Sequence, residues 1–233
     1  MRGKKALTFS LILAAILFIS LACSAEEVLK GTIIKIYRDS YLFDFESGTN
    51  LKTKEGMRVT PGDMITTLGS ATAIVDFNYD LIKLDPKTSI RLIKYDGGNK
   101  GEGNTEIFLL SGMIYVKVEE RTDDSSFKLA TAGNIIETKY AEFTVESIIG
   151  DVPTEDADTQ EFLKTVGKHS EVDKDTRVFS VDVITTVYTG SVTSSVIDAA
   201  TKSTRSPVNI GEGEELANRF RHVVFGFWEM PEK

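Results

Sequence analysis

Short apolar runs separated by glycine, proline and aspartate fill most of this chain. Residues 55–92 contain a turn at Pro61-Gly62-Asp63, another at Asp85-Pro86, and between them a predicted apolar face of Ala73, Val75, Phe77 and Tyr79. Alternation with a period of two is typical of a β-strand with one buried face. Similar runs recur from Val28 to the mid-190s, with turn signals roughly every 8–12 residues. The pattern predicts an all-β fold, either a short-strand sandwich or a β-solenoid.

Several of these segments occur in a particular order. A G-D-x-I-x-T segment begins at Gly62, an L-x-P-x-T-x-I-x-L segment at Leu84 and an L-x-x-G-x-I-x-V segment at Leu109. They are followed by FKLAT at 127–131, FTV at 143–145, TVYTGSV at 186–192 and VNIGEGE at 208–214. This order resembles the FecR-type domain of bacterial envelope proteins. The resemblance implies a FecR-like β domain over residues 28–215 that lies outside the cytoplasmic membrane.

The resemblance also implies a class of function. FecR-type domains often take part in surface signalling, in which a signal passes from an outer-membrane receptor to a sigma factor. The full signalling protein carries a cytoplasmic regulatory segment before a transmembrane helix. Here only Met1 to Lys5 precede the first apolar run. We therefore expect that the domain was kept and that direct control of transcription was not.

The sequence departs from the family pattern in two places. The family usually has Asp-Gly after the core strand, whereas Asn78-Tyr79-Asp80 stands here, so we expect Asn and Asp to form the turn. Residues 150–177 are polar and acidic, with one helical stretch from Thr159 to Val166, and we interpret them as an insertion. Residues 216–233 form an apolar extension that we expect to pack on the domain, with docking to a partner as the alternative.

The N-terminus has the features of an export signal. Arg2, Lys4 and Lys5 precede an apolar run from Ala6 to Ala22, and small residues follow it. The run is short for a membrane span, which needs roughly 17–25 residues. We therefore expect residues 1–22 to be removed and the chain to be exported to the periplasm or the outer membrane.

Cys23 decides which kind of export signal this is. Leu21-Ala22-Cys23 resembles a bacterial lipobox, in which the cysteine is lipidated and becomes the N-terminus, although Ser20 stands where an aliphatic residue is usual. Ordinary cleavage after Ala25 is the alternative. We favour lipidation at Cys23, because the chain has no other cysteine. The same count excludes an intramolecular disulfide and a cysteine-based zinc site.

The charge of the chain limits its partners. Removal of residues 1–22 leaves 24 basic and 35 acidic residues, a net charge of about −11. Binding to nucleic acid depends on neutralising phosphates with Lys and Arg, so we expect no nucleic-acid partner. Direct adhesion to anionic lipid head groups is disfavoured for the same reason.

No motif in the sequence predicts catalysis, a cofactor or a metal. The two histidines, His169 and His222, have no flanking catalytic motif, and the glycine-rich loop Gly97 to Gly103 lacks the G-K-[ST] of a phosphate-binding loop. Two groups of carboxylates do not match a calcium-binding loop, and we expect them to be solvated: Asp151, Glu155, Asp156, Asp158 and Glu161, and Asp173 and Asp175. Paired carboxylates of the glycosidase type remain an open alternative.

The sequence therefore predicts an exported, non-catalytic protein with a FecR-like domain that acts as a binding module in envelope sensing or assembly. The expected partners are another envelope protein or cell-wall glycan, with the membrane reached through lipid on Cys23. Two alternatives stay open: a component of transmembrane sigma-factor signalling, and an enzyme that acts on cell-wall glycan.

Overall fold

The computed structural model describes residues 30–77, 79–97, 99–152, 178–198, 203–204 and 207–224. These residues form β-strands, turns and short connections, and the prediction of an all-β fold is confirmed. The described ranges contain no helix with the length and hydropathy needed to cross a membrane. The predicted export signal and the helical part of the predicted insertion lie outside the described residues.

The chain forms seventeen strands in the described ranges. In order, they are β1 (Gly31–Tyr37), β2 (Ser40–Asp44), β3 (Thr49–Lys52), β4 (Arg58–Val59), β5 (Met64–Thr67), β6 (Thr72–Phe77), β7 (Asp80–Leu84), β8 (Ser89–Tyr95), β9 (Asn104–Val118), β10 (Ser126–Ala130), β11 (Asn134–Thr138), β12 (Ala141–Asp151), β13 (Val178–Gly190), β14 (Val192–Asp198), β15 (Ser203–Thr204), β16 (Val208–Ile210) and β17 (Glu215–Val224).

The strands are arranged in two sheets. Sheet A has the order β4-β1-β6-β7-β9-β12-β13-β17, and every pair in it is antiparallel. Sheet B has the order β3-β2-β5-β8-β9-β10-β11-β14-β16, and its one parallel pair is β9–β10. The short strand β15 pairs with the end of β14. The sequence predicted either a sandwich or a β-solenoid. Two sheets that share one strand match the sandwich.

The core lies between the two sheets. Alternate residues of strands from both sheets are buried and belong to one continuous hydrophobic cluster. Aromatic rings connect the layers: Phe127 of sheet B meets Phe143 of sheet A edge to face at 6.3 Å between centroids, and Phe77 meets Tyr95 at 5.5 Å. Full burial of one such side chain contributes about 1.5–3 kcal/mol. Period-two alternation therefore supplies the apolar face of each layer.

Strand β9 belongs to both sheets. Its first half pairs with β8 and β10, and its second half pairs with β7 and β12. The bend between the halves is at Gly112, which has a φ of +90°. A Cβ atom on Gly112 would lie 2.4 Å from Oγ1 of Thr88 and 2.7 Å from the carbonyl oxygen of Lys87. The crossing therefore requires glycine, both for the left-handed backbone and for the close approach of the neighbouring chain.

The turn between β6 and β7 differs from the prediction. Strand β6 ends at Phe77, and Tyr79 lies in the turn with a φ of +93° and about half of its surface exposed. The prediction that Tyr79 continues the buried face was therefore wrong. Asp80 is also not a turn residue, because it pairs with Phe77 as the first residue of β7 and is buried. A tight connection between the paired residues forces residue 79 into the left-handed region.

Two predicted boundaries can be compared with the strands. Strand β12 continues to Asp151 and pairs with β13, which begins at Val178, so residues 152–177 connect two antiparallel neighbours. Strand β17 begins at Glu215 and pairs with β13, so residues 216–224 of the predicted extension are part of sheet A. The ring of Phe220 packs against the core and lies within 2.6 Å of the position a Cβ would take on Gly133.

The substitution Gly112→Ala tests the crossing of β9. We expect a loss of about 2–4 kcal/mol in the free energy of unfolding, because the left-handed conformation and the overlap with Thr88 both oppose a side chain. The control is Gly48→Ala, since Gly48 has a φ of +65° and no atom within 4 Å of the added Cβ. Its expected loss is about 1 kcal/mol. Urea denaturation measures both values, and equal losses would contradict the role given to Gly112.

Candidate functional site

A polar groove with a volume of about 720 Å³ lies on the described surface. It crosses the outer face of sheet B over β9, β10, β11 and β14, at the end where three turns meet. The residues that line it are Asn104, Asp123, Asp124, Ser125, Ser126, Lys128, Glu137, Thr138, Lys139, Tyr140, Gly190, Ser191 and Thr193. Pockets for small ligands commonly have volumes of roughly 300–1,000 Å³.

The floor of the polar groove consists of outward-facing side chains of neighbouring strands. Lys128 of β10 is the cross-strand partner of Glu137 of β11, and their charged atoms are 2.6 Å apart. Thr193 of β14 is the next residue across the sheet, and its hydroxyl donates to Oδ1 of Asn209 at 2.9 Å. The hydrogen bond to Glu137 raises the pKa of Lys128, which keeps this lysine charged. The strand register therefore fixes the order of polar groups along the floor.

The walls of the polar groove are three connections between strands. The β9–β10 connection carries Asp123 and Asp124, the β11–β12 turn carries Lys139 and Tyr140, and the third wall is the β13–β14 turn at residues 190–191. Nζ of Lys139 donates to the carbonyl oxygen of Asp123 at 2.9 Å and lies 3.2 Å from its carboxylate. Two of the walls are therefore joined at the surface by one lysine.

Two side chains at the rim face solvent. Tyr140 is about half exposed, and its hydroxyl makes no hydrogen bond to any described residue. The carboxylate of Asp124 is likewise exposed and contacts no basic side chain within the described ranges. A bound molecule reaches both of these groups without first breaking an interaction within the protein.

A buried ion pair holds the first wall in place. Arg121 and Asp80 form a salt bridge, with side chains only 4% and 5% exposed. Nη1 of Arg121 donates to the carbonyl oxygen of Gly103 at 2.6 Å, and Nη2 donates to Oγ1 of Thr105 at 3.0 Å. The backbone N–H of Arg121 donates to the carbonyl oxygen of Lys139 at 2.9 Å. Arg121 thus connects the core to two segments of the groove wall, one carrying Asp123 and the other carrying Tyr140.

The ionisation of Asp80 depends on this environment. Burial raises the pKa of Asp80 from its ordinary value of 3.8 to about 6, while the positive charge of Arg121 and the N–H of Glu119 oppose that shift. Because the pKa is higher in the folded than in the unfolded chain, the charge on Asp80 opposes folding. The contribution of this group to stability is greatest below pH 3.8 and decreases as the pH rises through about 6.

The glycine-rich loop connects β8 to β9 and lies against this ion pair. Its residues Gly97, Gly101 and Glu102 border a cavity of about 10 Å³ beside Asp80 and Arg121. Nε of Arg121 is buried there with no hydrogen-bond partner within the described residues. The expectation of a hairpin connection agrees with the antiparallel pairing of β8 and β9 on either side of the loop.

None of the candidate site residues from the sequence is among the described residues that line the polar groove. Cys23, His169 and most of the two acidic clusters lie outside the described residues, and Asp151 is the last residue of β12. His222 is part of β17, and its side chain is not described. Within the described ranges, no three His, Cys, Asp or Glu side chains are close enough together to hold a metal ion.

The groove and the ion pair were missed by the sequence analysis. Asp80 was assigned to a turn, and Arg121 lies in a polar stretch without a recognisable motif. The groove residues are spread from position 104 to position 193, and only the pairing of β9, β10, β11 and β14 brings them together. The one local signal was the run Asp123-Asp124-Ser125-Ser126, which predicts a turn and no particular function.

Comparison with known proteins gives little support for an assignment. No protein-family model and no curated protein matches the chain. Among solved structures, it is similar to a candidate anti-sigma factor from Parabacteroides distasonis, with 12% identity and a TM-score of 0.39. The alignment covers 68% of this chain and 60% of that protein. A TM-score this low does not establish a shared fold, so membership of the FecR family stays a prediction.

The substitution Arg121→Met tests the buried ion pair. We expect a loss of about 3–5 kcal/mol in the free energy of unfolding at pH 8, because the carboxylate of Asp80 stays buried without its counter-charge. The loss is expected to be smaller at pH 5, where Asp80 is protonated and needs no counter-charge. Urea denaturation at the two pH values measures the difference.

The double variant Asp80→Leu/Arg121→Met is the control for this experiment. Removal of both charges leaves no buried ion, so the double variant is expected to be more stable than Arg121→Met at pH 8. A loss for Arg121→Met that is the same at pH 5 and pH 8 would show that lost packing, and not the charge of Asp80, determines the effect.

Proposed function

We propose that this chain is an exported, non-catalytic binding protein of the bacterial cell envelope, and that the polar groove is its binding site. Its partner is either another envelope protein or cell-wall glycan. The observation that carries the proposal is a groove of about 720 Å³ that is lined by residues with charged, hydroxyl and amide groups and whose shape is fixed by strand register and by a buried ion pair. Such a surface can present many hydrogen-bonding groups without rearrangement, which favours binding.

The pairing of charges in the polar groove supports binding over catalysis. A glycan-cleaving enzyme of the usual kind needs two carboxyl groups, one of them protonated at the working pH. Glu137 is paired with Lys128 at 2.6 Å and Asp123 with Lys139 at 3.2 Å. Two of the three carboxylates of the groove are thus arranged as partners of lysine side chains, which leaves Asp124 without a second free carboxylate beside it.

The location in the envelope rests on the N-terminal sequence. An apolar run after Arg2, Lys4 and Lys5, ending at Cys23, supports export and attachment through lipid. A single acyl chain binds a membrane only marginally, so stable attachment requires several chains on the same cysteine. The groove would then act within reach of the membrane and of the cell wall.

Co-sedimentation tests the binding function. Purified protein is mixed with insoluble peptidoglycan or, separately, with detergent-solubilised envelope proteins immobilised on beads. Thr193→Arg, which places a long charged side chain on the groove floor, is expected to lower the bound fraction at least about fivefold, because the added side chain fills space that the partner needs. If neither material binds the wild-type protein, the proposed function is wrong.

The matched control for this experiment is Thr186→Arg. Thr186 is a strand residue on the outer face of sheet A, and its hydroxyl also donates to a side-chain acceptor, Oε2 of Glu215, at 3.2 Å. The same substitution there changes the surface charge equally but leaves the polar groove intact. The control variant is therefore expected to bind as the wild type does, and equal loss in both variants would contradict the groove as the site.

Lipid attachment has a separate test. Full-length protein produced in a bacterial host is expected to partition into the detergent phase of Triton X-114 extracts, whereas Cys23→Ser should partition into the aqueous phase. The reason is that acyl chains contribute about 0.8 kcal/mol per buried CH₂ group to membrane association. Wild-type protein in the aqueous phase would rule out the lipoprotein prediction and leave ordinary secretion.

A further inference from the structure

The charges of the polar groove are almost balanced within the protein. Its lining contains three carboxylates, Asp123, Asp124 and Glu137, and two lysines, Lys128 and Lys139. Each lysine already has a carboxylate within 3.2 Å. A polyanionic ligand would therefore have to displace Glu137 or Asp123 from a lysine and would still meet the negative charge of Asp124. A polycationic ligand would find one unpaired carboxylate. Neither charge type is strongly favoured.

Uncharged hydrogen-bonding groups make up much of the remaining lining. Four residues supply hydroxyl or amide groups at its surface, Asn104, Ser126, Ser191 and Thr193, whereas the hydroxyls of Ser125 and Thr138 are buried and bonded within the protein. The hydroxyl of Ser126 donates to Oδ1 of Asn104 at 2.8 Å, and the hydroxyl of Thr193 donates to Asn209. Because both hydroxyls donate their protons within the protein, their oxygens remain available to accept hydrogen bonds from a ligand. The floor is therefore prepared for a molecule that carries many O–H or N–H groups.

Tyr140 adds an aromatic surface at the rim. Nearly half of its surface is exposed, and its backbone is fixed by a hydrogen bond from its N–H to Oγ1 of Thr138 at 3.1 Å. An exposed ring next to polar groups suits a ligand with both an apolar face and hydroxyl groups at its edge. The floor crosses four strands, which gives it a length of roughly 14 Å. A site of this length accommodates an extended oligomer better than a single ring.

From these observations we infer that the polar groove binds a neutral oligosaccharide, whose hydroxyl groups bond to the floor while one sugar ring stacks on Tyr140. This inference rests on the proposed binding function and names the class of ligand for the same groove. The nearly balanced charge selects against acidic polymers, and the charged and hydroxyl groups of the lining select against purely apolar ligands. Tyr140 is the contact that contributes most, because exposed aromatic side chains dominate such interfaces.

Isothermal titration calorimetry with the full chain tests the inference. The probe is the β-1,4-linked tetramer of N-acetylglucosamine, and the comparison is a tetramer of galacturonate, which has similar size but one carboxylate per ring. We expect the neutral tetramer to bind at least tenfold more tightly than the acidic one. Tyr140→Ala is expected to weaken binding of the neutral tetramer roughly tenfold, because the stacking surface is lost.

Tyr37→Ala is the matched control, because Tyr37 is an exposed tyrosine of β1 in sheet A and does not line the groove. Its affinity for the neutral tetramer is expected to equal that of the wild type. Retained circular dichroism spectra and unfolding temperatures in both variants ensure that loss of binding reports on the groove.

Two results would overturn the inference in different ways. If millimolar neutral tetramer gives no heat of binding while Thr193→Arg still abolishes capture of envelope material, the ligand class is wrong but the binding function stands. If the acidic tetramer binds as tightly as the neutral one, charge selection by the groove is refuted. If neither tetramer nor envelope material binds, both the inference and the proposed function fail.

Discussion

The crossing of β9 from one sheet to the other is the constraint on which the rest of the sandwich depends. In the first half of β9 the fully buried apolar residues are Ile107 and Leu109, and in the second half they are Ile114, Val116 and Val118. The buried positions change from odd to even numbers across the bend at Gly112. Without that change, one half of the strand would direct its polar residues into the core. The left-handed glycine lets a single strand contribute apolar side chains to both layers.

The polar groove forms at one end of the sandwich, where three turns border the outer face of sheet B. Strands of sheet B bury one face and expose the other, so Lys128, Glu137 and Thr193 stand in a row on the outside. The connections that border the row are attached to the core through Arg121, whose guanidinium is neutralised by Asp80 and whose backbone bonds to the carbonyl oxygen of Lys139. A buried ion pair is costly to desolvate, but its geometry holds two surface turns at a fixed distance. The ion pair thus lowers the stability of the fold but fixes the position of the turns that border the polar groove.

The fold class was predictable, because period-two alternation and turn residues are local signals. The alternation at Ala73, Val75 and Phe77 identified buried positions of β6 correctly. Its extension to Tyr79 failed, since the pairing of Phe77 with Asp80 leaves only two residues for the turn. The ion pair was not predictable either, because Asp80 and Arg121 are 41 residues apart and charged residues are usually exposed. The burial of a charged residue can be recognised only from the tertiary structure, in which its partner lies beside it.

The sequence by itself determined that the chain forms strands, which residues of most strands face the core, and that its first residues have the pattern of an export signal. These properties depend on neighbouring residues, so they can be read locally. The tertiary structure alone decided which strands pair, and hence that residues from position 104 to position 193 form one groove. Strand pairing depends on backbone hydrogen bonds, which every residue except proline can make. Many pairings are therefore compatible with the same alternation, and only burial of both apolar faces in one common core selects among them.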